Sequence, residues 1–253
     1  MAKPRCRRRA CRLSALLLLF TLLLAAPVWA GSVRLATLEW APYIGQALPD
    51  GGFVAEVVRE AFKRQGQGVE FRFMPWARVV VVAKAGEVAG YLPEYYAKEL
   101  EKDFLLSEPL PAGPLGFFKL KNRAVSWKTL DDLKPYRIGV VRGYVNTREF
   151  DARKDLKKEE VAEDVLNLRK LVAGRIDLML ADKYVGQYLA RKENPQDADK
   201  IEFMSPVLEG KELFVCFPKA RPGSKALRDT FNQGLRTMKA DGTLQAIMKR
   251  YGF

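Results

Sequence analysis

Four aromatic residues stand in segments that the sequence predicts to be loops joining strands to helices: Trp40, Tyr43, Trp76 and Tyr95. Aromatic rings in such loops can stack on a small ligand, and the alternative is that they pack in the hydrophobic core. Arg78 follows one of these loops and could bind an anion, or it could pair with Glu39 or Glu70. The residue types therefore indicate non-covalent recognition of a small molecule, with core packing as the competing interpretation.

Several kinds of catalysis are excluded by what the sequence lacks. The 253 residues include no histidine, which rules out Ser-His-Asp and Cys-His mechanisms and removes the commonest transition-metal ligand. Two of the three cysteines lie in the first twelve residues, so Cys216 has no internal partner in the rest of the chain. Its apolar neighbours predict a buried thiol in a strand. We expect a protein that is not an enzyme and that uses no metal or cofactor.

The first thirty residues differ from the rest of the chain. A basic head from Lys3 to Arg12 precedes an apolar run from Leu16 to Ala26, and the segment ends at Ala30. This order is typical of a secretory signal. The apolar run is shorter than the roughly 20 residues that a membrane-spanning helix needs. The sequence therefore predicts a signal at residues 1–30, cleavage after Ala30 and an exported, soluble product.

Removal of that segment leaves a weakly basic chain. The segment holds six of the 43 Lys and Arg residues and no acid, so the mature chain has 37 bases and 30 acids. The lysines within residues 154–160 have acidic neighbours in the sequence, and this balance of charges favours a solvated helix or turn. Proteins that bind nucleic acid usually cluster their basic residues on one face. We therefore expect no nucleic-acid partner.

Short apolar strands alternate with amphipathic helices along the mature chain, and this pattern predicts an α/β fold. Strands are predicted at residues 33–40, 69–74, 117–120, 136–141, 176–180 and 213–217. Helices are predicted at residues 54–62, 165–174 and 183–192, with two more at the carboxyl end. The run Val79–Val82 is ambiguous, because its β-branched residues favour a strand whereas Pro75 and Gly86 around it favour a short helix. We predict the helix.

Two passages rich in proline and glycine, residues 109–114 and 203–210, divide the mature chain into two α/β units. The first unit is discontinuous and comprises residues 31–112 and 208–253, and the second comprises residues 113–207. Two linkers that run side by side form a hinge, because few contacts resist rotation of one lobe against the other. Clefts between such domains are favoured sites for small ligands.

Four stretches of the chain resemble one family of proteins. They are LEWAPY with the following GGF (residues 38–53), EKDFLLSEPL (101–110), GRIDLMLAD (174–182), and MKADGTL with the following KRYG (238–252). In this order they resemble the type II periplasmic binding proteins, and within them the bacterial extracellular solute-binding proteins of family 3, which bind polar amino acids for ABC transporters. The resemblance covers nearly all of the mature chain.

The resemblance implies two lobes, each a mixed, mostly parallel sheet flanked by helices, joined by a hinge of two strands. It implies a periplasmic monomer that closes on a small polar ligand and delivers it to the permease of an ABC transporter in the inner membrane. A ligand that contacts both lobes only when they are closed shifts the population to the closed state. Two other functions remain open: a periplasmic sensor of the same fold, and a dehydratase-type enzyme that uses carboxylates for acid–base chemistry.

The resemblance also implies binding roles for particular residues. It places Glu39, Trp40 and Tyr43 in a loop that contacts the ligand. The turn Arg142-Gly143-Tyr144 would bind a carboxylate through amide groups at a helix N-terminus. Asp182, at the end of a strand, would hold the amino group of the ligand. The alternative for Asp182 is a surface aspartate that begins a helix.

Two positions depart from the family's pattern. The arginine that clamps a ligand carboxylate corresponds to Leu100, and a hydroxyl residue of the second lobe corresponds to Val145. Loss of a guanidinium removes a strong, charge-assisted contact. The sequence therefore predicts that ordinary α-amino acids bind poorly, unless Arg78 or Arg142 replaces the missing arginine.

Overall fold

The structure is a computed structural model that describes residues 30–193 and 195–252. Within these ranges the strands are β1 (Ala30–Thr37), β2 (Gln67–Phe73), β3 (Gly90–Tyr95), β4 (Phe104–Leu106), β5 (Leu110–Leu120), β6 (Arg137–Val141), β7 (Lys157–Val161), β8 (Leu178–Asp182), β9 (Ile201–Phe203) and β10 (Glu209–Pro218). The α-helices are α1 (Phe53–Lys63), α2 (Trp76–Lys84), α3 (Arg148–Ala152), α4 (Asp164–Val172), α5 (Lys183–Glu193), α6 (Ser224–Ala240) and α7 (Thr243–Tyr251). The predicted secretory signal lies outside the described residues, apart from Ala30.

The strands form one mixed sheet in the order β2-β1-β3-β10-β5-β8-β6-β7, with β4 beside β10 and β9 beside β5. Parallel pairs lie toward both ends of the sheet, where β1 pairs with β2 and β3 and where β6 pairs with β7 and β8. Antiparallel pairs surround β5 and β10 in the middle. The predicted α/β class is confirmed. We refer below to the β1–β4 end and the β6–β9 end of the sheet.

Strands β5 and β10 connect the two ends. They pair with each other from Leu110 opposite Leu213 to Leu115 opposite Glu209. Beyond this contact β5 continues beside β8 and β9, whereas β10 continues beside β3 and β4. Most of the linker predicted at residues 109–114 is therefore strand. Its prolines are tolerated because the pairing there is irregular and does not use every backbone N–H.

The last two helices return to the first part of the chain. Helix α1 buries one apolar face, which consists of Phe53, Val54, Ala55, Val57, Val58, Ala61 and Phe62. Helix α6 approaches this helix so closely that a Cβ atom on Gly234 would lie 2.0 Å from the carbonyl oxygen of Ala61. Since a side chain at position 234 would overlap α1, glycine permits the close packing of the two helices.

Helix α2 resolves the ambiguous segment in favour of the predicted helix. Val79 and Val82 are buried, whereas Val81 between them is exposed. Burial at a spacing of three residues follows the period of a helix, and a strand would alternate. Cys216 in β10 is fully buried, as its apolar neighbours predict.

The prediction of a solvated helix or turn at residues 154–160 is wrong in its second half, because strand β7 covers Lys157–Val161. β7 is the last strand of the sheet and pairs with β6 alone. Charged side chains are common on such edge strands, where they remain in solvent and discourage pairing with another chain. Lys158 also lies 5.0 Å from the ring centroid of Phe150, which gives this lysine a contact within the fold.

None of the helices in the described part of the chain is long and apolar enough to cross a membrane.

Candidate functional site

Asp182 is the centre of a contact between the two ends of the sheet. It is the last residue of β8 and is only 2% exposed. Its Oδ1 atom accepts hydrogen bonds from the backbone N–H groups of Tyr184 at 2.8 Å and Val185 at 3.2 Å, in the first turn of α5. Its Oδ2 atom accepts hydrogen bonds from the phenols of Tyr43 at 3.0 Å and Tyr95 at 3.4 Å. The carboxylate therefore caps a helix and also binds residues from the β1–β4 end.

Burial changes the acidity of this group. It raises the pKa of Asp182 to about 6, although the backbone and phenol hydrogen bonds oppose the shift. The phenol of Tyr43 also accepts a hydrogen bond from the backbone N–H of Gly113 at 2.6 Å. Burial and the nearby carboxylate of Asp182 raise the pKa of Tyr43, so the phenol stays protonated and donates. A continuous hydrogen-bonded path thus joins β5, Tyr43 and Asp182.

Aromatic rings surround this path. Trp40 stacks on Tyr43, with ring centroids 4.8 Å apart, and meets Tyr95 edge-on at 5.9 Å. At the start of α2, Trp76 meets Tyr144 edge-on at 5.8 Å. The indole N–H of Trp76 donates to the carbonyl oxygen of Gly143 at 3.0 Å, which is a second bond between the two ends of the sheet. The four aromatic residues selected from the sequence are therefore buried and lie together.

Asp164 is a buried carboxylate that the sequence analysis missed. It is 6% exposed, begins α4, and accepts a hydrogen bond from the phenol of Tyr144 at 3.1 Å. Burial raises the pKa of Asp164 to about 7, against hydrogen bonds from Tyr144 and Trp40 that lower it. Asp164 follows the carboxyl end of β7, and Asp182 ends the nearby parallel strand β8. Ligands of α/β sheets bind at the carboxyl ends of the strands, but the sequence did not predict β7, so it gave no indication of Asp164.

Glu94 is a second buried carboxylate that the sequence analysis missed. It lies in β3, where its side chain accepts hydrogen bonds from the phenol of Tyr91 at 3.0 Å and the backbone N–H of Tyr95 at 2.9 Å. Burial raises the pKa of Glu94 to about 8, and the charge of Lys211 opposes this shift. An acidic residue within the otherwise uncharged segment Gly90–Tyr95 was the available indication.

A small cavity opens among these residues. Its empty volume is about 270 Å³, which includes space open to solvent. It is lined by Leu38, Trp40, Trp76, Pro93, Glu94, Tyr95, Tyr144, Val145 and Leu213. A larger cleft of about 1500 Å³, which includes space open to solvent, shares Leu38, Trp40, Trp76 and Tyr144 with it. The larger cleft is also lined by Glu39, Asp164 and Arg169.

Three of the sequence-selected residues lie away from the inner cavity. Glu39 is exposed at the larger cleft, where it accepts a hydrogen bond from the side chain of Gln46 at 2.7 Å. Arg142 is exposed and binds Glu160 at 3.2 Å. Arg78 is exposed and lines neither space, and it forms no ion pair within the described ranges. Leu100 lies in a short 3-10 helix, Lys98–Lys102, and packs against the core.

Gly143 and Tyr144 contact the opposite end of the sheet through Trp76, as described above. The turn that they form is followed by α3, which is only five residues long and is capped by the hydroxyl of Thr147. Gly143 has a positive φ of 78°, a conformation that glycine adopts at little cost. The carbonyl of Gly143, and not an amide group, makes the contact with Trp76.

The two crossing strands and the cleft between the ends of the sheet define the class of the protein, which has the fold of the type II periplasmic binding proteins. Residues 39–253 match the bacterial extracellular solute-binding proteins, family 3, and the chain belongs to that family. The resemblance inferred from the sequence is confirmed.

Individual relatives share a modest fraction of their residues with this chain. The L-cystine-binding protein TcyJ of Escherichia coli (strain K12) is 25% identical over 204 residues, which cover 79% of this chain and 73% of that protein. ABC transporter arginine-binding protein 1 of the same strain is 32% identical over 129 residues, which cover 50% of this chain and 51% of that protein.

Solved structures show the same fold. An ancestral arginine-binding protein bound to arginine superposes with a TM-score of 0.74 at 23% identity, covering 89% of this chain and 100% of that one. A histidine kinase sensor domain with similarity to periplasmic binding proteins has a TM-score of 0.76 at 19% identity, covering 87% of this chain and 96% of that one.

Proposed function

We propose that this protein is a periplasmic receptor that encloses a small polar ligand between two lobes and presents it to the permease of an ABC transporter. The observation that carries the proposal is the hydrogen bonding of Asp182, from the β6–β9 end, to Tyr43 and Tyr95 from the β1–β4 end. Membership of the solute-binding family and its ABC-transporter relatives support the same function.

In this proposal the lobes are residues 31–112 with 208–253, and residues 113–207. The hinge is the paired part of β5 and β10, since these strands connect the lobes. The bonds from Tyr43 to Asp182 and from Trp76 to Gly143 form when the lobes close. A ligand held by both lobes adds its own contacts to the closed state and so shifts the population toward it.

The proposed ligand-binding residues are those that surround the inner cavity and its carboxylates. They are Trp40, Tyr43, Trp76, Glu94, Tyr95, Tyr144, Asp164 and Asp182. Glu39 would contact a ligand only at the outer cleft. Arg78 and Arg142 are given no direct contact, because both are exposed and neither lines the cavity.

Native mass spectrometry of the purified protein tests the proposal first, because it can identify a ligand that stays bound during purification. Small-angle scattering with and without that ligand then tests closure, and we expect a smaller radius of gyration with ligand. Failure to bind any small molecule, together with an unchanged radius, would contradict the receptor function. N-terminal sequencing of the exported form tests cleavage between Ala30 and Gly31, and a product that retains Leu16 would contradict it.

A further inference from the structure

We infer that the site selects a compact organic cation, an alkylammonium or guanidinium compound without a carboxylate. This inference rests on the proposed function, since it specifies the ligand of the same cleft. A receptor for ordinary amino acids would differ, because it must also bind the carboxylate of its ligand.

The inner cavity is surrounded by acidic residues. Among the described residues that line it, Glu94 is the one acidic residue, and none is a Lys or an Arg. Asp182 and Asp164 lie behind the aromatic walls and are almost completely buried. The hydrogen bonds described above come to all three carboxylates from neutral donors, namely phenols, indole and backbone N–H groups. Buried carboxylates without a counter-charge are costly, and a cationic ligand would reduce that cost.

The charge of Lys211 acts on Glu94, but Lys211 is already paired with another carboxylate. Its side chain is 5% exposed and its Nζ atom lies 3.0 Å from Glu209, so one carboxylate already accompanies its charge. The same Nζ atom lies 5.3 Å from the ring centroid of Tyr95. The ammonium group of Lys211 thus already lies over one face of the Tyr95 ring. Arg169 and Lys192 line the outer cleft and not the inner cavity.

The walls of the cavity suit a cation. Trp40, Trp76, Tyr95 and Tyr144 form much of its lining. Aromatic faces attract ammonium and guanidinium groups, most strongly where water is excluded. Tyr95 and Tyr144 donate their phenolic hydrogens to Asp182 and Asp164, and this polarisation increases the electron density of the rings.

A ligand carboxylate would find few partners in the same space. The phenols of Tyr95 and Tyr144 already donate to aspartates, and the indole of Trp76 donates to a carbonyl. Val145 contributes an apolar side chain to the lining, and no Lys or Arg side chain contributes in the described residues. A carboxylate placed there would also lie beside the acidic side chain of Glu94 and would meet no positive charge in the lining. The cavity therefore favours a cation and disfavours an anion.

Calorimetry with two matched pairs tests this inference. Agmatine differs from arginine, and cadaverine from lysine, by the absence of the carboxylate. We expect the decarboxylated compound of at least one pair to bind tenfold or more tightly than its amino acid. Binding of arginine or lysine as tight as that of the amine would overturn the inference, and so would failure of both amines and choline to bind.

A third pair separates charge from shape. Choline and its neutral analogue 3,3-dimethylbutan-1-ol have nearly the same shape, so tighter binding of choline requires recognition of the charge. Equal binding of the two would overturn the inference. Asp164→Asn should weaken binding of the preferred cation at least tenfold, whereas Asp229→Asn on the surface of α6 serves as the matched control. Thermal unfolding followed by circular dichroism shows whether both variants fold.

The result of native mass spectrometry distinguishes the two levels of the proposal. A neutral or anionic small molecule bound in the purified protein would overturn the cation inference and leave the receptor function intact. A cationic compound without a carboxylate would support both, whereas bound arginine or lysine would overturn the cation inference and leave the receptor function intact. If no compound of any charge binds and the lobes do not close, the receptor function itself fails.

Discussion

Tyr43 donates its phenolic hydrogen to the Oδ2 atom of Asp182 at 3.0 Å, across 139 positions of the chain. The same phenol accepts the backbone N–H of Gly113 from the crossing strand β5. One hydroxyl group therefore connects the loop after β1, the strand β5 and the end of β8. Under the proposed function, this hydroxyl stabilises the closed arrangement and positions the Asp182 carboxylate for contact with the ligand.

Tyr43→Phe should destabilise the folded protein by about 1–3 kcal/mol, because it leaves a buried carboxylate oxygen and a buried N–H group with one partner fewer. Urea unfolding at pH 7 measures this change. Tyr96→Phe is the matched control, since Tyr96 is 50% exposed and its phenol binds the side chain of Glu101. Equal stability of the two variants would show that the Tyr43 hydroxyl adds nothing to the closed arrangement.

Gly113→Ala should disturb the site without changing any polar group. A Cβ atom at position 113 would lie 2.5 Å from the ring of Tyr184 and 2.8 Å from Oδ2 of Asp182. Because these distances are too short, the carboxylate must move away from Tyr43, and we expect ligand affinity to fall at least tenfold. Gly210→Ala on the facing strand β10 is the control, since a Cβ atom there meets nothing within 4 Å. Unchanged affinity in Gly113→Ala, measured by calorimetry, would contradict the assigned position of the carboxylate.

The elements that follow from local patterns were predictable from the sequence. The helical periodicity of residues 54–62 correctly predicted α1, and the apolar segment before Asp182 correctly predicted β8. Both patterns exist because a buried helix face or a buried strand requires apolar residues at the buried positions. Strand β7 was missed because an edge strand keeps charged side chains in solvent and so resembles a solvated turn.

The site was predictable in part, for the same physical reason. Trp40 and Asp182 were selected because each lies next to the end of a strand. Asp164 and Glu94 were not selected, since their importance comes from their burial in the folded protein. Arg78 was selected for its charge and Arg142 as part of the turn that the family resemblance implies, but the fold leaves both side chains in solvent.

Asp182→Asn should weaken ligand binding by about 1.5–3 kcal/mol, the usual contribution of a hydrogen bond to a charged group. Asp177→Asn provides the comparison on the same segment, because Asp177 binds the backbone N–H and the guanidinium of Arg137 and lines neither space of the site. Calorimetry on both variants should show a change only for Asp182. An unaltered dissociation constant would return Asp182 to a purely structural role as the cap of α5.

The three buried carboxylates also predict how stability depends on pH. Their pKa values are about 6 for Asp182, about 7 for Asp164 and about 8 for Glu94, each raised chiefly by burial from ordinary values of 3.8 or 4.5. Between the ordinary and the raised pKa values, the folded protein binds more protons than the unfolded chain. The free energy of unfolding must then fall as pH rises.

We therefore expect the ligand-free protein to lose stability as pH rises from about 4 to about 8, and urea unfolding across this range measures the loss. The interpretation is simplified because the chain has no histidine, which usually titrates in this window. Surface aspartates such as Asp241, whose pKa is lowered to about 2 by its bonds with Thr243 and Arg64, titrate below it. Asp164→Asn removes one of the three groups and should make the decline less steep, whereas Asp229→Asn should not. A stability that stays constant or increases over this range would show that the carboxylates are compensated in the folded protein.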